Sequence, residues 1–272
     1  MKTKQGQGQP TPQLDLYYSE ESKDFVVLAE SIEAQNALAV DANYSEEIET
    51  LRSCLNCLYA MGGQSAWLFN APQIAIQNQA TQVLFSTLHK NLIALHASLK
   101  LTRTGLYGPA RAILRHAFEA LLVAKFCAIS DDTTVLNKWK DGDIIYLTNS
   151  VLKRIQSPDT KAFSEFWDLL SSYVHATIYA QQIHLNVMAA PDEVPLNLIY
   201  LRILVECQYH LVNSHLITPS LKYYIKRYNR NGYRLAEIQA EMQQLLTLEG
   251  RTLLELPRTI VKNYRAAWKL ST

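Results

Sequence analysis

Apolar residues recur along this chain at intervals of three and four and almost nowhere in strict alternation, a pattern that predicts helices nearly from end to end. The first covers residues 25–38. The second covers residues 45–60, with Ser45 placed to cap it and Glu46, Glu47 and Glu49 near the positive end of its dipole. Gly62-Gly63 is expected to end that helix. A long helix follows over about residues 73–101, its apolar stripe marked by Ile74, Leu84, Leu88, Leu92, Leu95 and Leu99. Thr104-Gly105 breaks it, and the next helix, opening at Pro109, should pack antiparallel to it across the short connection.

Residues 135–155 read as a further helix with a break at Asp141-Gly142-Asp143. Another opens at Ser157-Pro158 and buries Phe163, Phe166, Trp167, Leu170 and Tyr173/Val174. Residues 177–187 fit either a paired extended segment or an irregular connector. Beyond Pro195 a helix runs to Ile217, Thr218-Pro219 restarts or kinks it, and two more helices separate at Gly250 and Pro257. Without a convincing run of strands or an internal repeat, the expected fold is an all-α bundle.

Composition sharpens this picture at the ends of the chain. A hydrophobic share of 48% with only 9 glycines and 9 prolines describes a chain with a substantial core. The polar, aperiodic stretch 1–24 is expected to be a flexible tail ahead of a bundle over residues 25–218. No apolar run suits a secretory leader or a membrane span, and all four cysteines, Cys54, Cys57, Cys127 and Cys207, fall in predicted helices as reduced thiols. The expectation is therefore a cytoplasmic protein that makes no membrane contact. Charge is uneven: residues 220–272 hold 10 Lys/Arg against 4 Asp/Glu, while the rest hold 16 against 21. Residues 219–272 thus form a basic helical extension packed on the bundle, and they point to an anionic partner.

Candidate chemistry concentrates on the helix after Gly105, where Arg111, Arg115, His116 and Glu119 interrupt an apolar surface. Charges on a core-directed helix are costly unless paired or used. Arg111, Arg115 and Glu119 are spaced to share one face, and Arg115 can pair with Glu119. The run LKLTRTGLYGPARAILRHAFEALLVAKF over residues 99–126, followed by FWDLLSSYVHAT over residues 166–177, resembles the HEPN superfamily of bacterial helical bundles. The likeness spans roughly residues 80–180. It implies a HEPN-like antiparallel bundle, a homodimer, and an Arg-Glu pair on one helix meeting a Tyr-x-His near a later helix end; the matching residues are Arg115, Glu119, Tyr173 and His175.

Several HEPN proteins are metal-independent RNases, so the resemblance further implies an RNA-directed role in a toxin or defence setting, with no cofactor and no metal. Arg111 and Arg115 would hold phosphate, and His116 or His175 would move the 2′-hydroxyl proton. The family's Arg-to-His spacing occurs as Arg111 to His116. However, Ala112 stands where a polar residue is usual, and five residues of continuous helix turn the two side chains about 140° apart. The alternative is a catalytically inert interaction or regulatory module. In it Arg111 is a solvated cation, His116 a core or interface histidine, and the polar cluster a structural network. A nucleotide bound between helices is a third reading.

Two other groupings complete the inventory. Cys54-x-x-Cys57 and Cys207-x-x-His210 have zinc-ligand spacing if their helices are neighbours, although cysteine also populates helical cores for packing alone. The segment 222–234 interleaves five cations, Lys222, Lys226, Arg227, Arg230 and Arg234, with four tyrosines and no carboxylate, a composition that binds phosphates and stacks on bases. The same tyrosines can instead pack on a neighbouring helix while the cations snorkel. No P-loop, GxGxxG after a strand, GxSxG or HExxH is present, which disfavours the enzyme classes those motifs serve.

Overall fold

The computed structural model describes residues 24–69, 79–155, 160–172, 174, 193–218 and 231–246, and every regular element among them is helical. The helices are α1 (Phe25–Phe69), α2 (Gln79–Arg103), α3 (Tyr107–Ile129), α4 (Thr134–Asp141), α5 (Thr160–Ser172), α6 (Glu193–Val212) and α7 (Asn231–Leu246). Two π-helical turns, Thr148–Leu152 and Asn213–Ile217, complete the set, the second continuing directly from α6. Residues 177–187, Ile74 and the stretch beyond residue 246 lie outside the described residues.

The two helices expected over residues 25–60 are one interrupted rod. Asp24 caps it, its Oδ1 accepting the backbone N–H of Val26 at 2.9 Å and of Val27 at 3.2 Å. The break falls on Tyr44, whose φ of −131° and ψ of 27° are non-helical. Gly62-Gly63 does not stop the rod, contrary to the sequence reading. A Cβ added at Gly62 would sit 3.2 Å from Leu88 Cδ2, so this glycine serves the close approach of α1 to α2 instead of a helix end.

α2 and α3 form the central hairpin. Gly105, with φ of 87°, supplies the left-handed turn between them, and Pro109 occupies the first turn of α3, where its missing N–H costs nothing. Two buried side chains fix the register: Ser98 Oγ donates to the Ala110 carbonyl at 3.1 Å and Asn91 Nδ2 to the Ala117 carbonyl at 3.1 Å. Stepping back two turns along α2 thus steps forward two turns along α3, as an antiparallel pair requires. Leu84, Leu88, Leu95 and Leu99 fill the seam.

α6 lies against both helices of the hairpin, α5 packs on α3, and α7 on α1. Phe118 of α3, Phe166 of α5 and Tyr200 of α6 join these layers edge to face, with centroid separations of 5.0 and 5.7 Å. The break expected near residue 142 is present, Gly142 closing α4 at φ of 74°. No helix of the described residues is long and apolar enough to cross a membrane.

A surface clamp ties the first half of α1 to the end of α2. Arg103 Nε donates to Asp41 Oδ1 at 2.7 Å and its Nη2 bonds Oδ2, a two-point contact. The Arg103 hydrogen bonds hold the Asp41 carboxyl below its usual 3.8. Because the folded value is the depressed one, the clamp's stabilisation is fully present above pH 3.8 and disappears as pH falls through the lowered value. Asp41→Asn should therefore cost about 0.2–1 kcal/mol near neutrality, the small figure reflecting a half-exposed carboxylate. In urea titrations across pH the gap to wild type should close only on the acid side; a gap that persists at the acid end would contradict the assignment.

Candidate functional site

The polar side chains of α3 are divided among three surroundings by the helices packed around it. Arg111 points inward and is fully buried. Its Nε donates to Asn197 Oδ1 at 3.1 Å, its Nη2 bonds Glu193 Oε2, and its guanidinium carbon lies 5.6 Å from the Tyr200 ring centre. Glu193, Asn197 and Tyr200 follow one another at four and three residues along α6, so one face of the first two turns is built around this cation. Asn197 Nδ2 also donates to the Glu193 carbonyl at 2.9 Å, which steadies the acceptor side. The expectation of a solvated Arg111 is overturned, since α6 covers that face of α3 and supplies the carboxylate a buried guanidinium requires.

Arg115, one turn on, faces α5. Its Nε donates to Ser171 Oγ at 3.2 Å, its guanidinium carbon lies 4.4 Å from the Trp167 ring centre, and its Nη2 lies 3.1 Å from Glu119 Oε1. The expected Arg115–Glu119 pair is present. Arg111 does not share it, because α5 and α6 draw the two arginines to different partners. The other Glu119 oxygen, Oε2, lies 3.3 Å from His116 Nδ1. His116 is exposed at the surface of the chain, which overturns a core placement and leaves only the interface placement of the alternative reading. Tyr173 and His175 lie outside the described residues, as do Lys222, Lys226, Arg227 and Arg230; of Arg234 only the backbone, in α7, is described.

His116 and Glu119 open onto a cleft of about 260 Å³ between α2, α3 and the end of α4. Ser86 and Lys90, one turn apart on α2, form the facing wall, and Trp139 and Leu147 close one side. Glu119 is thus a bridge, holding Arg115 with one oxygen and the His116 ring with the other. With Nδ1 engaged, the ring's Nε2 is the nitrogen available to a bound molecule. Lys90 is exposed and adds a positive charge to the same cleft. Lys90 escapes sequence reasoning because a lone lysine on an amphipathic helix looks like any solvated residue. Asn197 was more accessible, being a polar interruption in the apolar run after residue 193.

Cys54, Cys57, Cys207 and His210 form no metal-binding group among the described residues. Burial pushes Cys54 up to about 12, Cys57 to about 11 and Cys127 to about 11, keeping them protonated. Glu241 of α7 adds to the rise at Cys57. Cys207 and His210 line a different cavity, on the α3 side of α6. Among the described residues no group of three His, Cys, Asp or Glu side chains is arranged to hold a metal ion.

No family model, curated protein or solved structure matches the chain.

The Arg111 pair yields a direct test. Glu193→Ala leaves a guanidinium buried without its counter-charge and should cost about 3–5 kcal/mol in chemical denaturation. The double variant Arg111→Met/Glu193→Met removes both charges and should cost less than the single one. A double variant weaker than Glu193→Ala would show that the pair itself, and not the stranded charge, carries the energy.

Proposed function

We propose that this chain is a HEPN-like, RNA-directed module of the cytoplasm, acting as a homodimer in metal-independent RNA cleavage or binding at the cleft around His116. The observation that carries the reading is the Glu119–His116 contact at 3.3 Å, in a cleft that also holds Lys90. A carboxylate on Nδ1 selects the ring tautomer and orientation, as the third member of a catalytic triad does, and leaves Nε2 to act on substrate. Arg115 in turn fixes Glu119, so the imidazole rests on a supported chain of contacts.

The reaction suited to these groups is internal transesterification of RNA. His116 Nε2 accepts the 2′-hydroxyl proton, the 2′-oxygen attacks the adjacent phosphorus, and the 5′-oxygen departs with a proton from a general acid. The products are a 2′,3′-cyclic phosphate and a 5′-hydroxyl. Lys90 replaces Arg111 in this scheme as the cation that stabilises the charged phosphoryl oxygens, Arg111 being committed to Glu193. In this reading the cations Lys222, Lys226, Arg227, Arg230 and Arg234 serve as further phosphate contacts.

A second reading rests on a specific observation. Arg111 is sequestered beneath α6 and Arg115 is held by Ser171, Trp167 and Glu119, so both arginines of the motif already serve the fold. This favours an inert interaction module with a structural polar network.

Incubation of the purified protein with single-stranded RNA in EDTA separates the two. The nuclease reading expects cleavage, resistance of a 2′-deoxy substrate, and a loss of about 10²–10⁴-fold in rate for His116→Ala, with a substantial loss for Lys90→Ala. His175→Ala, made in parallel, reports whether a second imidazole takes part. Intact RNA across several sequences, from a protein with normal thermal unfolding, would leave the interaction module standing.

A further inference from the structure

A second cavity, of about 360 Å³, lies between α3, α5 and α6, away from the His116 cleft. Its size falls at the small end of the range of ligand pockets, roughly 300–1,000 Å³. Phe118, Leu121, Phe163 and Leu211 form its apolar wall, and Lys125, Glu206, His210 and His215 share the lining.

These four groups differ in what a molecule inside the cavity can meet. Glu206 is 4% exposed; its Oε2 has essentially no accessible surface, and its Oε1 lies 3.5 Å from Nε2 of the exposed His210. Its sealed oxygen can accept nothing from a ligand. Lys125 is the opposite case. It is half-buried, its Nζ keeps accessible surface, and among the described residues no carboxylate lies within ion-pair distance of it. Its described contact is with the face of the Phe163 ring, whose centre is 5.2 Å from Nζ. An ammonium drawn into apolar surroundings without an acceptor is costly.

The π-helical turn Asn213–Ile217 follows α6 directly and carries Ser214 and His215 to the same cavity. Such turns are frequent at functional sites. His215 lies within the field of Lys125, whose charge adds to burial in lowering the basicity of the ring. Near neutrality the imidazole is therefore uncharged and offers one N–H donor. Its ring nitrogens also keep accessible surface and make no hydrogen bond among the described residues. One positive charge and one neutral donor, from α3 and from the turn after α6, thus open onto a single apolar chamber.

We propose that this cavity binds a monocarboxylate with an apolar tail, of the medium-chain aliphatic or arylalkyl type. Its carboxylate accepts from Lys125 Nζ and from the His215 ring N–H, and its tail lies against Phe118, Leu121 and Phe163. The arrangement selects against the main alternatives. A cation meets the Lys125 charge, a neutral apolar molecule leaves the ammonium without an acceptor, and a metal ion lacks a set of three ligands among the described residues. The reading is independent of any RNA chemistry at His116.

Titration calorimetry and thermal unfolding of the full chain test it with four probes: octanoate, 3-phenylpropionate, 1-octanol and octylamine. At least one carboxylate should bind and raise the unfolding temperature. The alcohol, which keeps the tail and lacks the charge, should bind about tenfold or more weakly than octanoate, and octylamine should not bind. Lys125→Met should bring octanoate down to the level of 1-octanol without weakening 1-octanol itself. His215→Phe, which keeps an aromatic ring and removes the N–H, should weaken octanoate by about threefold or more, and it keeps the test decisive should Lys125→Met fold poorly. Bound octanoate should also slow maleimide modification of Cys207, which stands on the cavity wall. Silence with both carboxylates, octylamine binding as well as octanoate, undiminished octanoate binding by a folded Lys125→Met, or octanoate bound with no change in the reaction of Cys207 would each overturn the assignment.

Discussion

A guanidinium placed in the middle of a hydrophobic bundle has to be met by a carboxylate, and much of the central packing follows from that requirement. Arg111 is buried completely, so α6 can dock on α3 only in the register that puts Glu193 and Asn197 against it. Leucine-on-leucine seams tolerate sliding; a charged fork with one acceptor on each of two successive turns does not. Asn91 reinforces the restriction further along, donating both to the Ala117 carbonyl and, at 3.0 Å, to Gln208 Oε1, so that α2, α3 and α6 meet at one buried amide. The hydrophobic surface supplies the driving force for association, and these few polar contacts select one arrangement.

That selection explains why the charged stripe of α3 acts as three separate units. Viewed along the helix alone, Arg111, Arg115 and Glu119 are equivalent members of one face. Neighbouring helices divide them: α6 takes Arg111, while α5 takes Arg115 through Trp167 and Ser171. Glu119 and His116 are left at the edge of the packed region, where a carboxylate and an imidazole can be both ordered and accessible. A solvent-facing imidazole held through Glu119 and Arg115 to a buried scaffold has less rotational freedom than an ordinary surface histidine, which is the physical content of calling this cleft a site.

Periodicity and breakers made most helices legible in the sequence: the α2–α3 hairpin with its turn at Gly105, the stop at Gly142, and the apolar face of α5 from Phe163 to Leu170 all follow from residues within a few positions of the feature. Val174, expected on that same face, lies beyond the helix and is exposed. The misreading at Gly62-Gly63 came from treating glycine as a local signal, when Gly62 answers to Leu88 of another helix. The site was legible to a similar degree. Arg115–Glu119 is an intrahelical pair and could be read from spacing, whereas the partner of Arg111 stands 82 positions away, where no local rule reaches. Glu206 was missed for a related reason: its environment, and not its identity, makes it unusual. A polar residue interrupting an otherwise apolar helix is visible in sequence, but whether it finds a partner is decided by tertiary packing.

The unequal burial of the cysteines has a practical side. Cys54, Cys57 and Cys127 are held as protonated thiols inside the core, while Cys207 is only partly covered and lies on the wall of the α6 cavity. Thiol-directed reagents act through the thiolate and need access, so they discriminate between these two classes. The unmodified chain therefore carries its own address for a fluorophore or spin label, a few ångströms from Glu206 in sequence-adjacent backbone, and movements of α6 can be followed without first stripping the protein of its native cysteines.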